Sequence, residues 1–154
     1  AVDQSRRARI SALQRETGLE QNVVDGRLTV HVMLEDVRVG DVVDYSYTLS
    51  RVDPTGDRRA ADVMQRRWTE PVARARLRLL HPSDRSVRLL DLGGGAAPVV
   101  RTTAGWVETT WDARDVPAQR YESQRPGWHA FFPRVEYSEF GDWNALRAWA
   151  MPLY

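Results

Sequence analysis

The sequence contains no cysteine, and this absence excludes several kinds of chemistry. Without a thiol, these residues can form no disulfide, no thiolate metal site and no cysteine nucleophile. The three histidines, His31, His81 and His129, are far apart, and no pair has the spacing of an H-x-x-x-H metal motif. The sequence therefore predicts no metal site and no cofactor, and we expect each histidine to be an isolated polar residue.

Lysine is also absent, so all 22 basic residues are arginines. The 21 acidic residues almost balance them, and the net charge is +1. A nucleic-acid site needs a clustered excess of positive charge rather than a balanced charge. We therefore expect no nucleic-acid partner, and we interpret the arginine usage as the coding bias of a G+C-rich genome.

Long apolar runs are missing too, since none approaches the roughly 18 residues that a membrane span needs. The chain starts at Ala1 without a Met, and no signal-peptide pattern with an apolar stretch is present. An apolar fraction of 42%, with six Trp, five Tyr and three Phe, is typical of a folded chain. We expect one domain without a transmembrane segment, cut from or processed out of a longer protein.

The clearest strand pattern follows the Gly40-Asp41 turn, within the stretch LEDVRVGDVVDYSYTL at 34–49. Apolar or aromatic residues alternate there with polar ones: Val43, Tyr45, Tyr47 and Leu49 against Asp44, Ser46 and Thr48. This period of two predicts a strand over 42–49 with one buried and one solvated face. Residues 28–34 alternate in the same way, so we expect the two strands to pair in antiparallel fashion.

Further strands are predicted along most of the chain, at 10–14, 62–68, 73–79, 87–92, 98–103, 106–111 and 134–140. A short helix is the alternative at 10–14. The strands at 98–103 and 106–111 are expected to form a hairpin around Ala104-Gly105. Arg74, Arg76 and Arg78 share one side of the strand at 73–79, which we interpret as the solvated face of an amphipathic strand.

The period changes at the end of the chain, where Asp142 is a good helix N-cap. Trp143, Leu146, Ala150 and Leu153 follow at spacings of three and four, and Pro152 should end a helix of about two turns. The whole pattern predicts an all-β fold, a two-layer antiparallel β-sandwich of about seven to nine strands. We assign 1–141 to the sandwich and 142–154 to the helix.

Two stretches resemble a bacterial domain of unknown function that immediately precedes a transglutaminase-like, papain-like core. They are LEDVRVGDVVDYSYTL at 34–49 and VEYSEFGDWNALRAWAMPLY at 135–154. The order between them is also similar, with a W-x-x-P step from Trp68 to Pro71, a W-x-A-x-D-V-P stretch from Trp111 to Pro117, and Glu122 ahead of Pro126. The resemblance covers Ile10 to Tyr154.

The resemblance implies an immunoglobulin-like or fibronectin-like sandwich, with one or two further strands upstream. Ser138, Phe140 and Trp143 would lead into the helix that joins the core. The Cys, His and Asp of that core would lie downstream of Tyr154, so no catalytic residue is carried over to this sequence. A periplasmic or membrane-attached parent protein is also implied.

We therefore expect a non-catalytic accessory domain, whose partner is the transglutaminase-like core of the same polypeptide. Its role would be to scaffold that core or to mediate its protein contacts. The helix should dock partly on the sandwich and partly on the core. The residues expected at this inter-domain contact are Phe140, Trp143, Leu146 and Trp149.

Two other functions remain open from the sequence. A carbohydrate- or peptide-binding module would use an aromatic platform of Trp106, Trp111, Trp128 and Tyr121, although these rings also suit the filling of space beneath the long irregular segment 112–133. A self-contained hydrolase would need two close carboxylates, one of them with a raised pKa. Its candidate acids are Glu108, Glu122, Glu136, Glu139 and Asp142.

Overall fold

Within the residues that the computed structural model describes, the regular structure consists of eight strands, one short α-helix and a 3-10 turn. The structure describes residues 3–4, 7–14, 28–50, 59–120, 124, 126 and 132–153. The chain divides into two units, 1–50 and 51–154. The described strands form three antiparallel sheets, one of two strands and two of three strands.

The first unit contains a two-stranded sheet, in which β1 (Arg9–Gln14) pairs with β2 (Leu28–Met33). Both strands were predicted, and the alternative of a helix at 10–14 is wrong. In the register of this pair, Ile10 lies opposite Val32 and Ala12 opposite Val30. Because alternate residues share a face, these apolar side chains lie together, and more than half of the surface of Ile10, Val30 and Val32 is exposed.

The strand predicted over 42–49 is not formed, because residues 41–50 have no regular secondary structure. The predicted pairing with 28–34 is also wrong, since β2 pairs with β1. The turn itself does form: the backbone N–H of Arg38 donates to Asp41 Oδ2 at 2.8 Å, and Gly40 adopts a φ of +98°. Beyond the turn, Tyr45 and Tyr47 still share one side of the chain, since their rings stack with centroids 6.4 Å apart.

The second unit contains the two three-stranded sheets. One has the order β3-β8-β5 and the other β4-β7-β6. Their strands are β3 (Ala61–Gln65), β4 (Val72–Pro82), β5 (Arg88–Leu92), β6 (Val99–Thr103), β7 (Trp106–Val116) and β8 (Arg134–Ser138). Each matches a predicted strand, with bounds that differ by a few residues. β8 pairs with two strands that precede it by many residues, so this sheet depends on contacts distant in sequence.

The core of this unit lies on the central strand of each sheet. Val135 of β8 has no exposed surface, and Trp111, Val116 and Thr109 of β7 are buried. Val135 and Thr109 lie between two neighbouring strands, whereas Trp111 and Val116 lie opposite Leu77 and Val72 of β4. The predicted antiparallel β-sandwich with a short C-terminal helix is confirmed.

The predicted hairpin around Ala104-Gly105 is confirmed as well, with Thr103 of β6 opposite Trp106 of β7. Gly105 has a φ of +83°, a conformation that glycine adopts without steric cost. β7 continues beyond the predicted end at Trp111 as far as Val116. The irregular segment expected over 112–133 therefore begins later than predicted.

The helix α1 runs from Trp143 to Ala150 and continues as a 3-10 turn over Met151–Leu153. As predicted, Asp142 is the N-cap: its Oδ1 accepts a hydrogen bond of 2.8 Å from the backbone N–H of Ala145. This bond satisfies one of the amide groups that has no partner inside the helix. Within the described residues, no helix is both long enough and apolar enough to cross a membrane.

Candidate functional site at the C-terminal helix

The connection from β8 to α1 is fixed by hydrogen bonds to a segment far away in sequence. The backbone N–H of Glu139 donates to the carbonyl oxygen of Ala60 at 3.0 Å, and the N–H of Ala60 donates to Glu139 Oε2 at 2.5 Å. Ser138 Oγ accepts from the N–H of Phe140 at 3.1 Å. These bonds hold the chain where it turns from strand to helix.

Glu139 also carries the best-protected carboxylate of this region, since its side chain is only 7% exposed. Arg85, which precedes β5 in the chain, forms an ion pair with this carboxylate. Its Nε lies 2.5 Å from Oε1 and its Nη2 lies 2.8 Å from Oε2. A buried charge without a partner is costly, and a two-pronged arginine contact is the geometry that best offsets this cost. Arg59, Arg85, Ser86 and Glu139 line a pocket of about 390 Å³.

An aromatic contact lies next to this ion pair. The rings of Phe140 and Trp149 pack with centroids 5.3 Å apart and planes tilted by 57°. The guanidinium carbon of Arg59 lies 5.1 Å from the centroid of the Phe140 ring, within the range of a cation–π contact. Trp149 is thus anchored on the sandwich through Phe140, and this contact orients α1.

The opposite side of α1 is exposed. Trp143 is 83% accessible, although Ala145, Leu146, Trp149 and Ala150 are half-buried. Met151 and Leu153 in the following turn are also more than half exposed. Of the four residues predicted at an inter-domain contact, Phe140, Leu146 and Trp149 are half-buried and Trp143 is exposed. The inter-domain contact itself stays a prediction.

Trp106 and Trp111, the two described residues of the aromatic platform predicted for ligand binding, do not share a face. Trp106 is 46% exposed, whereas Trp111 is only 3% exposed. The two residues are five positions apart on β7, so their side chains point to opposite faces of the sheet. Tyr121 and Trp128 lie outside the described residues. A ligand therefore has access to the ring of Trp106 but not to that of Trp111.

The acids considered for hydrolysis are occupied with other partners. Arg134 Nε donates to Glu136 Oε1 at 2.8 Å, Asp142 caps α1, and Glu139 is held by Arg85. The side-chain hydrogen bond from Arg78 lowers the pKa of Glu108, which is opposite to the shift that a general acid needs. Glu122 lies outside the described residues. Among the described residues, no three acidic or histidine side chains are grouped closely enough to hold a metal ion.

Arg59 and Arg85 were not identified from the sequence. Arg85 lies 54 positions before its partner Glu139, and Ala60 lies 79 positions before it. Only the pairing of β3 and β5 with the two edges of β8 brings these residues together. No local pattern in the sequence reports a contact of that kind.

Comparison with known proteins places most of the chain in one family. The family model DUF3857, described as a domain of unknown function with a solved structure, matches residues 1–120. The match covers both β1–β2 and the β4-β7-β6 sheet, and it ends before β8 and α1. No curated protein and no solved structure matches the chain.

Proposed function

Because the chain belongs to the DUF3857 family, we propose that it is a non-catalytic accessory domain whose C-terminal helix docks on a transglutaminase-like core of the same polypeptide. The observation that carries this proposal is the exposure of Trp143, which is 83% accessible on a helix held in place by Trp149. Tryptophan is enriched among the residues that dominate binding energy at protein interfaces.

Two further exposed apolar side chains support the same proposal. Met151 and Leu153, in the turn that follows α1, are each more than half exposed. The resemblance of residues 135–154 to the segment that leads into a transglutaminase-like core names the partner. In this proposal, the core supplies the catalytic residues and the parent protein lies outside the bacterial cytoplasm.

The premise is tested by reading the source gene past the codon for Tyr154. A Cys codon followed by spaced His and Asp codons supports a transglutaminase-like core. An immediate stop codon overturns the proposal. This test requires no folded protein, so its outcome does not depend on the stability of any variant.

The docking role of the helix is tested by comparing Trp143→Ala with Trp149→Ala. In the chain without a core, Trp149→Ala should lower the free energy of unfolding by about 2–3 kcal/mol, because Trp149 packs on Phe140. Trp143→Ala should change it by less than about 0.5 kcal/mol, because the ring contacts little. Urea denaturation followed by circular dichroism measures both.

The same two variants are then made in the chain joined to its core. There, Trp143→Ala should lower the free energy of unfolding by about 2 kcal/mol, as expected for a tryptophan at the centre of an interface. If Trp143→Ala destabilises the chain without the core as severely as Trp149→Ala does, the ring is not reserved for a partner and the proposal fails.

A further inference from the structure

The outer face of the β4-β7-β6 sheet carries a cluster of arginines from all three strands. The period of two places on this face Arg74, Arg76 and Arg78 of β4, Arg114 of β7 and Arg101 of β6. We call these five residues the arginine face. Glu108 and Asp112 of β7 lie on the same side of the sheet, between the outer strands. The sequence showed only the three arginines of β4 together.

Two of the five arginines are neutralised by ion pairs across the strands. Arg74 binds Asp112 through two bonds, Nε to Oδ1 at 2.9 Å and Nη2 to Oδ2 at 2.5 Å. Arg78 donates from Nε to Glu108 Oε1. These hydrogen bonds lower the pKa of both carboxyl groups, so Glu108 and Asp112 are ionised at neutral pH. The two acids are therefore committed to Arg74 and Arg78.

The other three arginines, Arg76, Arg101 and Arg114, are exposed. Within the part of the chain that the structure describes, none of them forms an ion pair with a carboxylate. The register places Arg76 opposite Asp112, Arg101 opposite Glu108 and Arg114 opposite Arg74. The face therefore carries a net positive charge, although the whole chain is almost neutral.

The three unpaired arginines lie on three different strands: Arg76 on β4, Arg114 on β7 and Arg101 on β6. Because β7 lies between the other two strands, and neighbouring strands are about 4.8 Å apart, an extended segment that reaches all three arginines crosses the strands. Planar guanidinium groups bind carboxylates in a two-pronged geometry, which favours arginine over lysine for such pairs.

We propose that the arginine face binds an extended acidic segment of a partner protein, whose carboxylates pair with Arg76, Arg101 and Arg114 across the sheet. Charge complementarity selects an anionic partner. Glu108 and Asp112 favour a peptide over a polyphosphate, because their negative charges repel a uniformly anionic backbone, whereas a peptide can place neutral residues beside them. This site lies on a different element from the α1 surface, so either proposal can fail alone.

The test uses the chain and a blocked peptide long enough to reach all three unpaired arginines, with Glu at every second position and Thr between. Binding is measured by fluorescence anisotropy at low and at physiological ionic strength. The Glu peptide should bind and should weaken as salt increases, because screening reduces interactions between exposed charges. The same peptide with Gln in place of Glu is the control, and equal binding of the two peptides overturns the proposal.

The arginines are tested by replacing the three unpaired ones together, as Arg76→Gln, Arg101→Gln and Arg114→Gln. The triple variant should bind the Glu peptide roughly tenfold less tightly, as expected for the loss of three exposed ion pairs. The matched control replaces three exposed arginines outside this sheet, as Arg9→Gln, Arg88→Gln and Arg147→Gln, and should leave the affinity unchanged. An equal loss in this control would indicate a non-specific effect of net charge and would overturn the assignment.

Each variant is also checked by thermal unfolding, and the midpoint should not change, because the replaced guanidinium groups are exposed and unpaired. If the triple variant does not fold, the single variant Arg76→Gln carries the test, with a smaller loss of affinity expected. Single-stranded oligonucleotides and vesicles containing anionic lipid are measured in parallel. Tighter binding of either one than of the Glu peptide, lost in the same variants, would assign the face to another partner and overturn the proposal.

Discussion

Residues 43–49 and strand β4 have the same alternating pattern but different surroundings. Val43, Tyr45, Tyr47 and Leu49 are 46–84% exposed and form no ladder with another described strand. In β4, Ala75, Leu77 and Leu79 are half-buried, and the strand is bonded to β7 along most of its length. The alternation thus predicts which side chains share a face in both places. It does not predict whether a second strand lies alongside.

Residues 43–49 and β4 differ in their cross-strand partners. β4 has the acids of β7 within reach, and the Arg74–Asp112 and Arg78–Glu108 pairs fit a single register. Pairs of opposite charge on neighbouring strands stabilise the pairing that brings them together. Asp44, in the middle of 43–49, has no ion pair with any arginine in the described ranges. Strand pairing therefore depends on the sequences of both stretches, and the sequence of one stretch alone does not determine it.

The largest effect is expected on β7, the strand that pairs with β4. There, Trp111→Ala is compared with Trp106→Ala. Trp111 is 3% exposed and Trp106 is 46% exposed. Trp111→Ala should lower the free energy of unfolding by about 3–5 kcal/mol, because a large cavity opens in the core. Trp106→Ala should cost less than half as much. Urea denaturation measures both, and equal losses would mean that the two faces of β7 are packed alike.

A sharper test substitutes one leucine in each region. Leu77→Ala on β4 should cost about 1–3 kcal/mol, since its side chain is half-buried opposite Trp111. Leu49→Ala should change the free energy of unfolding by less than about 0.5 kcal/mol, because Leu49 is 84% exposed. Chemical denaturation of both variants decides the question. A cost for Leu49→Ala as large as that for Leu77→Ala would show that residues 43–49 are packed in solution.

The smallest expected effect concerns pH. Hydrogen bonds from Arg74 and Arg78 lower the pKa of Asp112 and Glu108 in the folded chain. A carboxyl group with a lowered folded pKa stabilises the fold above its ordinary pKa of about 4, and this contribution is lost as the pH falls through the folded pKa. Asp112→Asn should therefore reduce the loss of stability in acid. Asp44→Asn in the unpaired segment is the control and should leave that dependence unchanged, as measured by urea denaturation across an acidic pH series.

The elements that could be predicted from the sequence are those determined by neighbouring residues. The hairpin at Ala104-Gly105 and the N-cap at Asp142 each depend on a few consecutive positions, and both are observed. The faces of β7 also follow from local alternation, with Thr109 and Trp111 buried on one side. In the candidate site, Phe140 was expected from the resemblance, and both Phe140 and Trp149 were predicted at an inter-domain contact rather than in contact with each other.

The remaining features depend on contacts between distant stretches. The Arg85–Glu139 pair requires β5 to lie beside β8, and the arginine face requires β6 and β7 to bring Arg101 and Arg114 next to β4. Neither arrangement follows from periodicity, which contains no information on strand order. The pairing predicted for 28–34 with 42–49 was wrong because periodicity does not show which of its two sequence neighbours a strand pairs with. β2 pairs with the strand before it, and 42–49 forms no strand.

The position of β8 has a consequence for how the protein is made. β8 is the last strand in sequence, yet it is the centre of its sheet, and β3 and β5 pair with no other described strand. During synthesis on the ribosome, both must therefore wait until residues 134–138 have left the exit tunnel. In that interval, the apolar side chains of β3 and β5 and their unbonded backbone groups are open to aggregation and to chaperones. The β6–β7 hairpin, by contrast, can form as soon as its own residues emerge.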